Sequence, residues 1–445
     1  MGFTDWARNT LRKWLLGDDE EYKRIEKIAL RRDYVQGHQR SQLKVKPGGT
    51  DDNITLNLLG VIRDRAVSDL FGAGVTFTFE DEAQQAYIDA VWNANRREPL
   101  FTALAQHGAE TGMCYLKLIP DGMVARDGSV MPRLVALDPT WVSIRTDPQD
   151  VDNITAYVIQ YAYVNEKGKE IAHRQTISKV ESGWEILDEE TNEGGRWYEL
   201  SRELWSFYFA PIVSWQNLPA VDSVYGEADI SDTAIQIQDK LNYHASNIAK
   251  IIRLQAHQRL WISNAGEMKD ADWDPGKLIK IGEGSQVGAI EANGDLPGAS
   301  AFLLMLRQSM FDVTRTVDLD SMADKLGALT NFGLRVLFHD NLAKTDIKRG
   351  LYGDGLEETN YRLLLIAGMN VTDGGEVVWG DNTPTSDSER VQTDLALVGA
   401  TAMSVQTLAE RAGLDWEQEK ERLAEEKASE ELSGDVFMRM FNKGA

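Results

Sequence analysis

An α+β fold is predicted from the order of two periodicities along the chain. Between about residues 113 and 210 apolar residues alternate with a period of two, in "RLVALDP", "WVSIRTD", "ITAYVIQYAYV", "HRQTISKV", "GWEILDE", "RWYEL" and "ELWSFYFAPIVSW". Gly-, Asp- and Asn-rich turns separate these runs, the pattern of an antiparallel sheet. Before and after them the spacing is helical, so strands sit in the middle of a helical chain rather than alternating with helices. At 445 residues the chain is long enough for roughly two to four domains and a large buried core.

Taken in order, "EEYKRIEKIALRRDYVQG" reads as a mixed-charge helix, and "PGGTDDN" breaks it. Asp52 or Asn53 is expected to cap the next helix, "ITLNLLGVIRDRAVSDLFG", which stops at Gly72. A strand, "AGVTFTFED", two helices over "DEAQQAYIDAVWNANRREPLFTALAQHGAETG" and the strand "MCYLKLIP" lead into the β-rich region. Beyond it, "SDTAIQIQDKLNYHASNIAKIIRLQAHQRL" has no Pro or Gly, and such a helix would span roughly 45 Å. A Gly- and Pro-containing segment with the strand "KLIKI" follows, then the helix "GASAFLLMLRQSMFDV". A second long helical run covers about 331–367, with a bend expected near Gly350–Gly355. After the strand and turn "EVVWGDNTPTSDSE", helices are expected to begin near Ser386 and Ser404, ahead of an acidic tail. No period of 20–50 residues repeats, which argues against a solenoid.

Composition removes several functions. The formal charge is −23, against a general nucleic-acid binder, although residues 1–50 hold 11 Lys+Arg against 7 Asp+Glu. The single cysteine, Cys114, permits no disulfide within the chain. The start, "MGFTDWARNTLRKWLLGDDEEY", has no apolar run and cleavage site of a signal peptide, and Trp6 stands where myristoylation wants Ser or Thr. No run reaches the ~18 apolar residues of a membrane span. The six histidines (38, 107, 173, 244, 257, 339) form no HExxH and no pair at i, i+4, so neither a zinc site nor a cofactor is expected. "GEGSQVG" (282–288) has GxGxxxG spacing and cannot open a helix, and no GxxxxGK[ST] or GxSxG occurs. In "DLDSMADKLGAL" an EF-hand fails at Met322, Ala323 and Leu329. A hydrolase working through a carboxylate pair is the alternative function, with twelve tryptophans available for a sugar cleft. No single pair is marked out.

Four stretches in order carry a family resemblance. They are "NLLGVIRDRAVSDLFGAGVTF", "FAPIVSWQNLPAVDSVYGEADISDTAIQIQDKLNYHASNI", "LRQSMFDVTRTVDLDSMADKLGALTNFGLRVLF" and "VVWGDNTPTSDSERVQTDLALVGATAMSVQTLAERAG". The chain resembles the portal proteins of tailed bacteriophages, siphophage type, over most of residues 50–430. The resemblance implies a portal-type fold: an N-terminal arm (1–50), an α+β wing (51–228), a first stem helix (229–260) and a small β-containing clip (261–297). A second stem helix (298–318), a tunnel loop (319–331), a long helix towards wing and crown (332–370), a wing return strand (371–385) and crown helices with an acidic tail (386–445) complete it. It also implies a homo-oligomeric ring, usually of roughly twelve subunits, at one vertex of the virion capsid, assembled in the host cytoplasm. Double-stranded DNA would pass through it during packaging and ejection without sequence readout. The implied partners are the terminase large subunit, the major capsid or scaffolding protein and the head–tail connector, with no enzyme activity of its own and no membrane.

The loop "TVDLDSMADKLGALTN" then becomes the working segment. Asp320, Asp324 and Lys325 are expected to face the channel, Gly327 to let the loop bend, and Thr330 or Asn331 to cap the next helix. In the clip, Trp261, Trp273, Lys277 and Lys280 are candidates for contacts with terminase or between subunits. Lys250, Arg253, His257 and Arg259 form a basic cluster at the end of the first stem helix, where the dipole favours cations. A mostly acidic wall with few cations would keep DNA centred and each contact weak.

Overall fold

The structure, a computed structural model, describes residues 19–124, 128–166, 168–191, 196–221, 223–256, 259–263, 286–290, 296–321, 331–381, 394–411, 416, 419–420 and 422. The chain divides into two compact units. One comprises Met1–Asp320 with Phe338–Asn382, and the other Ser321–Leu337 with Thr383–Ala445.

The first unit opens with helix α1 (Asp19–Val35) and helix α2 (Leu58–Phe71). The expected cap of α2 is displaced: Asn57, not Asp52 or Asn53, accepts from the Gly60 amide at 3.3 Å. Asp52 and Asn53 are otherwise employed, Asp52 on Arg253 and Asn53 on the backbone of Leu43. Strand β1 (Val75–Thr78) follows, then α3 (Glu82–Ala94), capped by Asp81, and α4 (Arg97–Thr111). Helix α4 stops at Gly112, whose φ of 90° is left-handed and whose missing side chain lets the chain pass Gly226. An added Cβ there would stand 2.2 Å from the Gly226 carbonyl oxygen.

Two antiparallel sheets form the β-rich middle. A three-stranded sheet runs in the order β3 (Val130–Ala136), β2 (Met113–Val124), β9 (Ile212–Gln216). A five-stranded meander joins β4 (Val142–Asp147), β5 (Asp150–Val164), β6 (Glu170–Val180), β7 (Gly183–Thr191) and β8 (Trp197–Trp205). "RWYEL" and the start of "ELWSFYF" are one strand, β8, not two. The sheets bury Met113, Tyr115, Tyr157, Ile177, Trp184 and Ile212 between them, as period-two alternation requires.

Helix α5 (Asp232–Ala256), the hairpin β10 (Arg259–Ser263) with β11 (Gln286–Ile290), and helix α6 (Leu296–Thr314) come next. "QVG" of the glycine-rich stretch lies in strand β11. The helical run expected over 332–370 is two helices, α7 (Asn331–Leu337) in the second unit and α8 (His339–Ile366) in the first. Helix α8 is unbroken at Gly350–Gly355. Gly355 is there for packing, because a Cβ would meet the Trp215 ring at 2.5 Å. Strand β12 (Glu376–Trp379) pairs with β1. In the second unit residues 394–399 are helical, as is α9 (Val405–Arg411).

Two further cores hold the first unit. Phe71, Phe77, Trp92, Phe101, Trp215 and Tyr352 join α2, α3, α4, β1, β9 and α8. Tyr34, Leu59, Ile62, Leu241, Met310 and Phe311 join α1, α2, α5 and α6.

Candidate functional site: the root of the loop after α6

Helix α6 ends in a hydrogen-bonded reversal. The Thr316 amide donates to the Phe311 carbonyl at 2.9 Å and the Arg315 amide to the Asp312 carbonyl at 3.1 Å, the paired bonds of a Schellman motif. Arg315 occupies the left-handed position, with φ 51°, where glycine is usual. The helix expected over 298–318 therefore stops at Thr314.

After the reversal the chain is tied down at each step. Arg307, two turns back on α6, grips Asp318 with Nε and Nη2, both at 2.7 Å, and Nη2 also donates to Asp320 at 2.9 Å. Asp318 is 10 % exposed and Asp320 75 %. The hydrogen bond to Asp318 lifts the Arg307 guanidinium above even its ordinary value. Arg65 of α2 donates to the Val317 carbonyl at 2.5 Å, and both guanidiniums lie over the Phe311 ring. From α8, Lys344 donates to the Thr314 carbonyl at 2.9 Å, placing an ammonium where the α6 dipole is negative. Asn341 donates to Asp69 at 2.9 Å and reaches the Arg315 carbonyl at 3.4 Å.

Beneath these bonds lies a buried ion cluster. Asp229, with no exposed side-chain surface, stands 2.5 Å from Lys344 and 2.8 Å from Lys348. Burial alone would raise the Asp229 carboxyl, but the two ammoniums outweigh it and hold the group well below the usual carboxylate range. Asp69 moves the other way, because burial there outweighs Asn341 and the same lysines. Asp69, Asp229, Thr316, Asn341, Lys344 and Lys348 line a small polar cavity. Among the described residues no group of histidines, cysteines and carboxylates could hold a metal ion, and no helix is long and apolar enough to cross a membrane.

A second polar device runs along α5. Gln238, Asn242 and Ser246, four residues apart, bind the backbone of an extended strap: Gln238 to the Leu56 carbonyl, Asn242 from the Leu56 amide and Ser246 from the Ile54 amide. Four helical residues rise about 6 Å and two extended ones about 6.6 Å, so the two chains keep register. Asp52 ends the strap with a two-point pair on Arg253, both bonds 2.7 Å.

Of the expected site residues, Asp320 is exposed at the loop root and joined to Arg307. Asn331 is the first residue of α7. Asp324, Lys325, Gly327 and Thr330 lie outside the described residues, as do Trp273, Lys277, Lys280 and His257. Trp261 is in β10 opposite Gly288, and Arg259 opposite Ile290. Lys250 is exposed on α5, whereas Arg253 is occupied by Asp52. Sequence reasoning missed Arg307, Asp318, Asp229, Lys344 and Lys348. The one available signal was the lysine pair at i, i+4 on α8, a spacing that puts both on one face.

An apolar helix ended by a pinned reversal over a buried ion cluster is a structural device, with no catalytic constellation among the residues described around it. The family model "Phage portal protein, SPP1 Gp6-like" matches residues 15–432. The chain belongs to that family of phage portal proteins. Among solved structures it is similar to a chain in the neck of a native GTA particle computed with C12 symmetry, at 13 % identity and TM-score 0.48, covering 80 % of this chain and 90 % of that one. A chain of the virion of the native gene transfer agent particle matches at 12 % and 0.43, over 80 % and 90 %. One from the neck of an empty GTA particle computed with C6 symmetry matches at 12 % and 0.48, over 81 % and 90 %. No curated protein matches the chain.

Proposed function

We propose that the protein forms a ring at one capsid vertex through which double-stranded DNA is packaged and later ejected. Family membership supports the portal role. Helix α6 carries the ring. From Leu296 to Leu306 it has no charged residue, yet Leu304 is 65 % and Met305 53 % exposed in the single chain. Tyr243 and Ile252 of α5 and Phe302 of α6 are exposed as well. A helix apolar on every side is a buried helix, and in a self-assembling chain the missing cover is another copy.

In this reading α5 and α6 are the stem helices and β10–β11 belongs to the clip. Trp261, Trp273, Lys277 and Lys280 there serve contacts with the terminase large subunit or between subunits. The loop beyond Asp320, with Asp324 and Lys325, faces the channel, and Thr330 or Asn331 opens the next helix. Lys250, His257 and Arg259 offer cations at the stem end, while Arg253 instead fastens the strap. Capsid or scaffolding protein and the head–tail connector meet other faces of the ring. No catalytic role is assigned.

Native mass spectrometry and negative-stain imaging of the full chain test the reading. A closed ring with a central hole is expected. A chain that stays monomeric under every assembly condition would remove it.

A further inference from the structure

The cations at the loop root are nearly all engaged. Arg307 is held by Asp318 and Asp320, Arg65 by the Val317 carbonyl, Lys344 by Thr314 and Asp229, and Lys348 by Asp229. Arg315 is the exception. Its side chain is exposed and makes no hydrogen bond or ion pair among the described residues, although Asp312 and Asp318 are near in sequence. It also sits at φ 51°, a conformation that disfavours any residue with a Cβ. Glycine would serve the reversal better and would be the choice if the turn were the only requirement. Strain kept at one position points to a use for the side chain placed there.

We propose that Arg315 is a phosphate-contacting residue of the channel, one per subunit, presented to the DNA backbone by the pinned reversal. The inference rests on the portal reading above. A guanidinium binds phosphate oxygens with directed donors, and one exposed contact is weak enough to be made and released as the duplex moves. The engaged neighbours matter as much. They fix the backbone that aims Arg315 while adding no free cation that would trap the DNA.

The test uses assembled full-length rings set in a solid-state nanopore, with linear plasmid DNA as the probe. Dwell time is measured against salt for wild type, Arg315→Gly, Arg315→Glu and Arg315→Lys. Ring assembly and melting temperature are recorded for each. Expected for Arg315→Gly are intact rings that melt at or above wild type. Its dwell times at low salt should be shortened roughly two- to fivefold for each phosphate interaction removed, with a flatter salt dependence. Arg315→Lys should keep most of the dwell, and Arg315→Glu should shorten it further. Dwell times unchanged in the Gly and Glu variants refute the assignment. So does a Gly variant that melts lower, which would make Arg315 a structural residue, or one that forms no ring, which would make it a subunit contact. Wild-type rings that admit no duplex refute the portal reading itself, and this inference with it.

Discussion

Replacing Asp229 with asparagine probes the loop root at its most buried point. The carboxylate meets Lys344 at 2.5 Å, Lys348 at 2.8 Å and the Asn217 amide at 3.2 Å. Asp229→Asn removes the carboxylate that pairs with both lysines and leaves two ammoniums with side chains 8 % and 3 % exposed. Removing one partner of a buried ion pair costs about 3–5 kcal/mol, because the remaining charge stays desolvated. Lys344 also caps α6 through Thr314, so its displacement loosens the reversal. In a unit of this size each kcal/mol lowers the melting temperature by about 1–2 °C, so a fall of about 3–10 °C is expected by scanning calorimetry at pH 7. Asp229→Asn with Lys344→Met and Lys348→Met removes all three charges and should recover most of the stability. The sign with pH also follows. The folded carboxyl titrates below its unfolded value, so its stabilisation is present above about pH 4 and is lost as pH falls towards the folded value. The variant should lack that part of the acid-side slope. An Asp229→Asn protein melting within about 1 °C of wild type, or a triple variant no better than the single one, refutes the reasoning.

Gly355→Ala gains about 1 kcal/mol of helix propensity but forces a Cβ to within 2.5 Å of Trp215. Overpacking costs about 1–3 kcal/mol, so lower stability and altered tryptophan fluorescence are expected. Leu304→Glu places a charge on the exposed apolar side of α6. It should leave the monomer folded by circular dichroism while abolishing the ring in native mass spectrometry. Arg253→Gln should speed hydrogen exchange at residues 52–56 without changing the core, and high salt should reproduce part of that effect in wild type. His107 lies among Arg32, Asp138 and Glu110, and burial is the first cause lowering its pKa. Its neutral form is the folded one, so stability is full above about pH 6.5 and falls as pH drops towards the folded value. His107→Gln should flatten that segment of a stability–pH curve.

Most of the fold was legible because local pattern and burial agree. The alternation in "ITAYVIQYAYV" became β5, and the helical spacing around "DAVWNA" and "FTALAQ" became α3 and α4. The misreadings have specific causes. Asp52 is a good cap by type, but Arg253, 201 positions away, claims it. Gly350–Gly355 looked like a bend, yet Trp215 requires the missing Cβ at Gly355 and α8 passes straight through. The contacts at the end of α6 were not legible. Arg307 and Asp318 are eleven residues apart, and Asp229 and Lys348 are 119 apart. Neither spacing has a local signature. Only the reversal at Arg315 brings the first pair together, and arginine is not the residue that announces such a turn.

The contacts that hold the chain after α6 differ in strength. Between Thr314 and Asp318 the chain is held by the buried Lys344 on Thr314, the half-buried Arg65 on Val317, and the two-point grip of Arg307 on an Asp318 carboxylate that is 10 % exposed. The next contact, Arg307 to Asp320, is three-quarters exposed on the carboxylate side, where an ion pair contributes about 0–1 kcal/mol and salt screens it. The hold of Arg307 is therefore weaker on Asp320 than on Asp318. In the proposed channel, force from a moving duplex would open the Asp320 contact long before it disturbed the ion cluster on Asp229. Asp320→Asn should thus change loop behaviour and leave the melting temperature where it is. Asp229→Asn should lower the melting temperature and, by freeing the reversal, change the loop as well. The two effects separating in that direction would show that Asp229, and not Asp320, supports the fold at the reversal.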